Sequence, residues 1–213
     1  MLLDRRKVKF WQKIVFSFMA LLMVVFLVGY AGASWIGCGD SGETASTLDD
    51  RIAALERQIA ASPGAVEARL ALAETLRRRA NQQMEGSQGR TADLEASAAA
   101  YEAYVDELAG AKGTKAEKRE AERRQVAALE DLVKVYLSMG DFERVTRVYG
   151  RLTELRPNKA EYFYDMGRVA INAGDTNMAL LAFTRFLELE PDADEASQVR
   201  EWVEQNASKG SGE

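Results

Sequence analysis

The sequence predicts an all-α protein: an N-terminal transmembrane helix, then an α-solenoid of antiparallel helix pairs closed by a C-terminal capping helix. Three observations predict this. Pro157 and Pro191 lie 34 residues apart, as do Gly140-Asp141 and Gly174-Asp175, and the helical pattern around each pair recurs at the same interval. Such a period marks helix–turn–helix units that each bury a face only against a neighbour. Ile14 to Ile36 is a run of 23 residues without a charge. The rest is rich in Ala, Leu, Glu and Arg, all good helix formers, with proline only at 63, 157 and 191 and no strand-like alternation.

The first element is the anchor. A helix of that run spans roughly 35 Å, enough for a hydrocarbon core of about 30 Å. Phe10 and Trp11 flank one end and Tyr30 and Trp35 stand near the other, the depths that aromatic belts prefer. Residues 1–13 carry five cations against Asp4, a net +4, whereas the first charges after the run are Asp40 and Glu43. The positive-inside rule makes 1–13 a cytoplasmic basic segment and 14–36 a single pass through the plasma membrane, with everything beyond it extracytoplasmic.

Residues 37–46 read as a flexible Gly/Ser/Thr tether. The apolar run stays open to three readings. In a retained signal-anchor, Cys38 is an interfacial thiol near a helix end. A cleaved secretory signal is the second, although the apolar stretch exceeds the usual core of about 7–15 residues. Trp35-Ile36-Gly37-Cys38 also resembles the bacterial lipobox, with Trp35 where that motif has an aliphatic residue; this reading makes Cys38 a lipidation site.

The helical part is expected over 47–207, with a disordered tail at 208–213. Ser46-Thr47 caps a first helix bearing Leu48, Ile52, Leu55 and Ile59 on one face, and Ser62-Pro63-Gly64 ends it. Val66, Leu70, Ala73 and Leu76 begin the next, which runs into Arg77-Arg78-Arg79. Residues 81–91 read as a polar connection of about ten residues before a helix carrying Leu94, Ala98, Tyr101, Val105 and Leu108. Lys115–Gln125 is dense in charge at helical spacing and reads as a solvated N-terminal extension of the helix that follows.

From Val126 the pattern becomes specific. In residues 126–159, Leu129, Leu132, Val133 and Tyr136 lead to Gly140, then Val145, Tyr149, Leu152 and Pro157. In residues 160–193, Phe163, Met166, Gly167 and Ala170 lead to Gly174, then Ala179, Phe183, Phe186 and Pro191. This resembles the tetratricopeptide repeat, and the whole chain resembles bacterial single-pass proteins of that family. Residues 64–110, with Tyr101 and Tyr104, resemble a divergent unit with a lengthened turn, and 193–207, with Ala196, Val199, Trp202 and Val203, resemble the solvating cap. Val145 and Phe186 are bulkier than the family's small residues, which implies looser or shifted packing there.

Composition excludes several chemistries. The chain has no histidine and one cysteine, so no Ser-His-Asp, Cys-His or His/Cys-rich metal site can form. No phosphate-binding glycine loop occurs, and Asp192-Ala193-Asp194-Glu195 lacks the ligand order of a calcium loop. Net charge is −5 overall and therefore −9 beyond residue 13, which argues against nucleic acid. No cofactor and no enzyme activity is expected.

Binding is what the resemblance implies. In the family, the first helices of successive units line a groove, and here that face carries Glu130, Lys134, Tyr164, Arg168 and Asn172, with Arg144 on a second helix facing away. Glu130 and Asp131 depart from the cationic clamp by which some members hold C-terminal carboxylates. The expectation is a membrane-anchored scaffold that holds a protein or peptide partner on the extracytoplasmic side, for assembly, chaperoning or recruitment in an envelope complex. The alternative is a structural subunit of a larger membrane complex or a homo-oligomer.

Overall fold

Eight α-helices and no strand make up the described residues, 45–207 of a computed structural model. They are α1 Ala45–Ala61, α2 Val66–Asn81, α3 Gln88–Ala109, α4 Lys115–Met139, α5 Phe142–Leu155, α6 Ala160–Asn172, α7 Thr176–Leu189 and α8 Ala196–Ala207. The basic segment 1–13, the apolar run 14–36, Cys38, the tether up to residue 44 and the tail 208–213 lie outside the described residues. Among the described residues no helix is long and apolar enough to cross a membrane.

Each helix packs chiefly on its neighbours in sequence, the one-dimensional stacking of a repeat array. The 34-residue period is visible in the turns. Gly140 and Gly174 adopt φ of 72° and 78°, a region open to glycine at little steric cost. The amides of Gly140 and Asp141 donate to Leu137 O and Tyr136 O; those of Gly174 and Asp175 donate to Ile171 O and Ala170 O. The aspartate then caps the next helix, Asp141 accepting from Arg144 N and Asp175 from Met178 N, both at 2.9 Å. One glycine–aspartate pair thus ends a first helix and starts its second.

The divergent pair, α2 and α3, is closed more tightly than a polar connection over 81–91 implies. Ser87 caps α3 by accepting from Arg90 N, so helix begins at Gln88 and the connection shrinks to Gln82–Ser87. The charged stretch from Lys115 does extend α4, through a capping box between Thr114 and Glu117. Its end is not solvated, however. Gln125 is buried and donates through Nε2 to Val105 O, and Arg124 donates to the Tyr104 hydroxyl.

Two apolar clusters result. The larger joins α2 to α6 through Tyr101, Tyr104, Leu129, Leu132, Tyr136, Val145 and Leu152. The smaller joins α6, α7 and α8 through Ala170, Ala179, Phe183, Phe186 and Val199. Val145 and Phe186, expected to loosen the packing, are both buried. Gly167 is where α6 and α7 meet closely: a Cβ there would lie 2.5 Å from the Phe183 ring.

Candidate functional site

The first helices of the pairs, α2, α4 and α6, line two clefts, the second of them shared with α8. Leu137 and Ile171, one period apart in α4 and α6, are both exposed, 44% and 41%. Their recurrence at the same place, each three residues before its turn glycine, exposes apolar surface where nothing in the fold covers it.

The cleft near the C-terminal end, about 430 Å³, lies between α6 and α8 and is lined by Tyr164, Arg168, Ile171, Phe183, Val199 and Trp202. Of the residues expected in the groove, Tyr164 and Arg168 come together here, the guanidinium carbon 5.6 Å from the ring centroid. Tyr164 is not free of the repeat's own packing. Its ring centroid lies 5.1 Å from that of Phe186 and 6.2 Å from that of Phe183, whose other side meets Trp202 edge-on at 5.2 Å. One edge of Tyr164 therefore belongs to the core and the other to the cleft. Arg168 is the exposed cation of the site, and among the described residues its ion-pair partner is Asp165, at 3.9 Å. Asn172 is exposed at the end of α6.

The residues expected on α4 are placed differently. Glu130 accepts the Tyr162 hydroxyl proton and has Lys159 Nζ at 3.5 Å, so it ties α4 to the start of α6. Lys134 is exposed and pairs with Asp131 at 2.8 Å. Arg144 lines neither cleft, but it is no solvated bystander. Its Nη1 and Nη2 donate to the two oxygens of Glu95 at 2.7 Å, its Nε to Asp141 at 2.6 Å, and its plane lies 4.7 Å from the centre of the Tyr136 ring.

The second cleft, also about 430 Å³, lies between α2 and α4, with Glu67, Glu74, Glu120, Asp131 and Arg124 among its lining. Sequence reasoning did not single it out, because its carboxylates sit at ordinary helical spacings on two helices. Hydrogen bonds and burial set the protonation of nearby groups. The bond from Arg144 holds Glu95 below its usual range, and the Arg144 amide does the same for Asp141. Burial pushes Asp165 up, only partly offset by the Tyr149 hydroxyl, and pushes the Tyr101 hydroxyl up to about 12. Among the described residues no three His, Cys, Asp or Glu side chains stand together as a metal site.

Residues 132–204 match the family model of the tetratricopeptide repeat. No curated protein matches the chain. Two solved structures of MamA align with it. One is 20% identical, covers 73% of this chain and 95% of its own, and superposes with a TM-score of 0.30. The other is 21% identical, covers 71% and 86%, and has a TM-score of 0.29. The family match and the recurring glycine–aspartate turns together mark the segment from Leu132 to Glu204 as tetratricopeptide repeat.

Proposed function

We propose that this chain is a membrane-anchored scaffold that holds a protein or peptide partner on the extracytoplasmic side, in the assembly, chaperoning or recruitment of an envelope complex. A tetratricopeptide segment implies a protein-interaction surface. The uncharged run 14–36 behind a +4 segment supports the anchor and its direction. The observation that carries the binding side is the cleft between α6 and α8, where an aromatic wall, an exposed Ile171 and a weakly paired Arg168 converge. Rigid aromatics with an arginine are the residue types that concentrate interface energy.

The test is partner capture by the full chain from native membranes. Arg168→Glu with Ile171→Glu is expected to weaken capture at least about tenfold, the loss of roughly one hot-spot contact. Leu181→Glu, on α7 outside the cleft and 68% exposed, leaves it unchanged. A reporter fused after Glu213 that is active only in the cytoplasm overturns the topology.

A second copy of the chain is the other reading. Leu181 favours it, together with the hollow of about 330 Å³ between α5 and α7 at Gly150, Met166 and Met178. Loss of self-association in Leu181→Glu, with capture intact in the groove variant, selects it.

A further inference from the structure

The cleft between α6 and α8 combines rings with hydrogen-bond donors. Arg168 is the charged residue of its lining, and no carboxylate is among the described residues that line it. The contact from Arg168 to Asp165, 3.9 Å, is longer than a hydrogen bond. Gln198 is exposed, and Tyr164 and Trp202 are half-buried. Among the described residues none of these three side chains makes a hydrogen bond. Arginine and the indole N–H can only donate. The cleft therefore offers donors that the fold itself leaves unused.

The rings are held in place by one another. The Tyr164 centroid lies 6.2 Å from that of Phe183, and the Trp202 centroid 5.2 Å from it on the other side. Tyr164 and Trp202 thus form a ledge with Phe183 between them. One turn of a polyproline helix rises about 9 Å over three residues, a length comparable with this ledge. Aromatic-lined grooves of this kind receive segments that are already extended and so lose little freedom on binding.

We infer that the partner segment seated here is proline-rich and acidic: prolines lie on Tyr164 and Trp202, backbone carbonyls accept from the Trp202 indole and the Gln198 amide, and a carboxylate pairs with Arg168. This deepens the reading of the cleft as the binding side and rests on it. An ordinary extended segment brings one N–H per residue to a lining whose indole and guanidinium are donors only; proline brings a ring and a carbonyl without the N–H. A helical segment has already used its carbonyls internally. A basic side chain would meet Arg168, with no carboxylate in the lining to receive it. A second copy is not the occupant, because this sequence has proline only at 63, 157 and 191, far apart from one another.

The experiment measures fluorescence anisotropy of a labelled nonapeptide repeating proline-proline-glutamate, titrated with the full chain in lipid nanodiscs. It is expected to bind at least about tenfold tighter than the peptide with alanine for every proline. It is also expected to bind several-fold tighter than the peptide with lysine for glutamate, a gap that closes as salt rises. Arg168→Gln, at an exposed position, removes the preference for glutamate and keeps the preference for proline. Trp202→Phe retains a ring beside Phe183 but no N–H, and lowers affinity for the proline peptide several-fold; Gln198→Glu, at an exposed position, sets a carboxylate against the peptide and lowers it likewise with unchanged melting. Equal binding of the proline and alanine peptides, binding of neither, or a lysine peptide that binds as tightly as the glutamate one overturns the proposal. The binding-side reading fails separately, when capture in native membranes survives Arg168→Glu with Ile171→Glu.

Discussion

The two ends of the array use the same backbone period and different means of holding it. From α2 to α6, side chains reach past the adjacent helix to the next but one. Glu67 meets Arg124, Glu95 meets Arg144, Asp106 meets Arg151, and Glu130 meets Tyr162 and Lys159. Among the described residues no such ion pair joins α5 to α7 or α6 to α8. There the work falls to Tyr164, Phe183, Phe186 and Trp202, packed ring against ring in tilted and edge-on contacts. A repeat fixes where helices lie but leaves open what joins the layers. Where ionic clasps do the joining, carboxylates rim the cleft between layers; where rings do it, the cleft exposes an aromatic edge.

The largest expected effect breaks the aromatic end alone. Gly167→Leu drives a side chain into the Phe183 ring and is expected to cost about 3 kcal/mol, the upper part of the range for overpacking. Hydrogen exchange is expected to rise in α6 to α8 and to change little in α2 to α4. A uniform rise across the array would mean that the two ends do not differ in kind.

Arg144→Ala is the matching lesion at the ionic end. It removes a two-oxygen bond to Glu95, a bond to Asp141 and the cover of Tyr136. Because the side chain is partly solvated, the loss is expected near 1–2 kcal/mol by chemical denaturation, below that of a fully buried charged hydrogen-bond set. A change of only a few tenths would reduce these clasps to ordinary surface pairs.

Tyr101→Phe removes a buried hydroxyl that makes no well-formed hydrogen bond and has the Arg77 guanidinium beside it. Melting is expected to stay level or rise by the equivalent of up to about 1 kcal/mol, the reverse of the usual sign for a deletion in a core. A clear loss would show that the hydroxyl is satisfied in solution.

Acid separates the ends by sign. Glu95 and Asp141, held low by Arg144, give stability that is present above the ordinary carboxylate range and lost as pH falls through their depressed values. Asp165, raised by burial, acts oppositely: its cost appears as pH rises from the ordinary range through its raised value. Asp165→Asn keeps an acceptor for the Tyr149 hydroxyl. It is expected to raise the melting temperature near pH 7 and not near pH 3, where the native aspartate is itself protonated. An equal shift at both values would assign the effect to packing.

The sequence made the backbone legible and the polar joints illegible. Gly140-Asp141 and Gly174-Asp175 could be read because glycine's left-handed freedom and an aspartate cap are local requirements. Gly167 could be read because a missing side chain inside a helix asks for a close neighbour. The repeat pattern puts Phe163 on the packed face, but adjacent aromatics on α6 exchange core and surface with a small rotation, and Tyr162 is the buried one, with its hydroxyl on Glu130. Gln125 reads as part of a solvated extension, Glu130 as a groove residue and Arg144 as turned to solvent, since their partners lie on other helices, 20, 32 and 49 residues away. Of the expected groove residues, Tyr164 and Arg168 fall in one cleft, whereas Glu130 is absorbed into a joint between layers.

Site-specific photocrosslinking in native membranes tests the central claim most directly. A benzoylphenylalanine is placed in the full chain at Ile171 or Ala127, which line the two clefts, and at Leu181 on α7. The account predicts adducts to the same partner from Ile171 and Ala127 and none from Leu181. Adducts from Leu181 alone would contradict it, and would move the binding surface to the exposed face of α7.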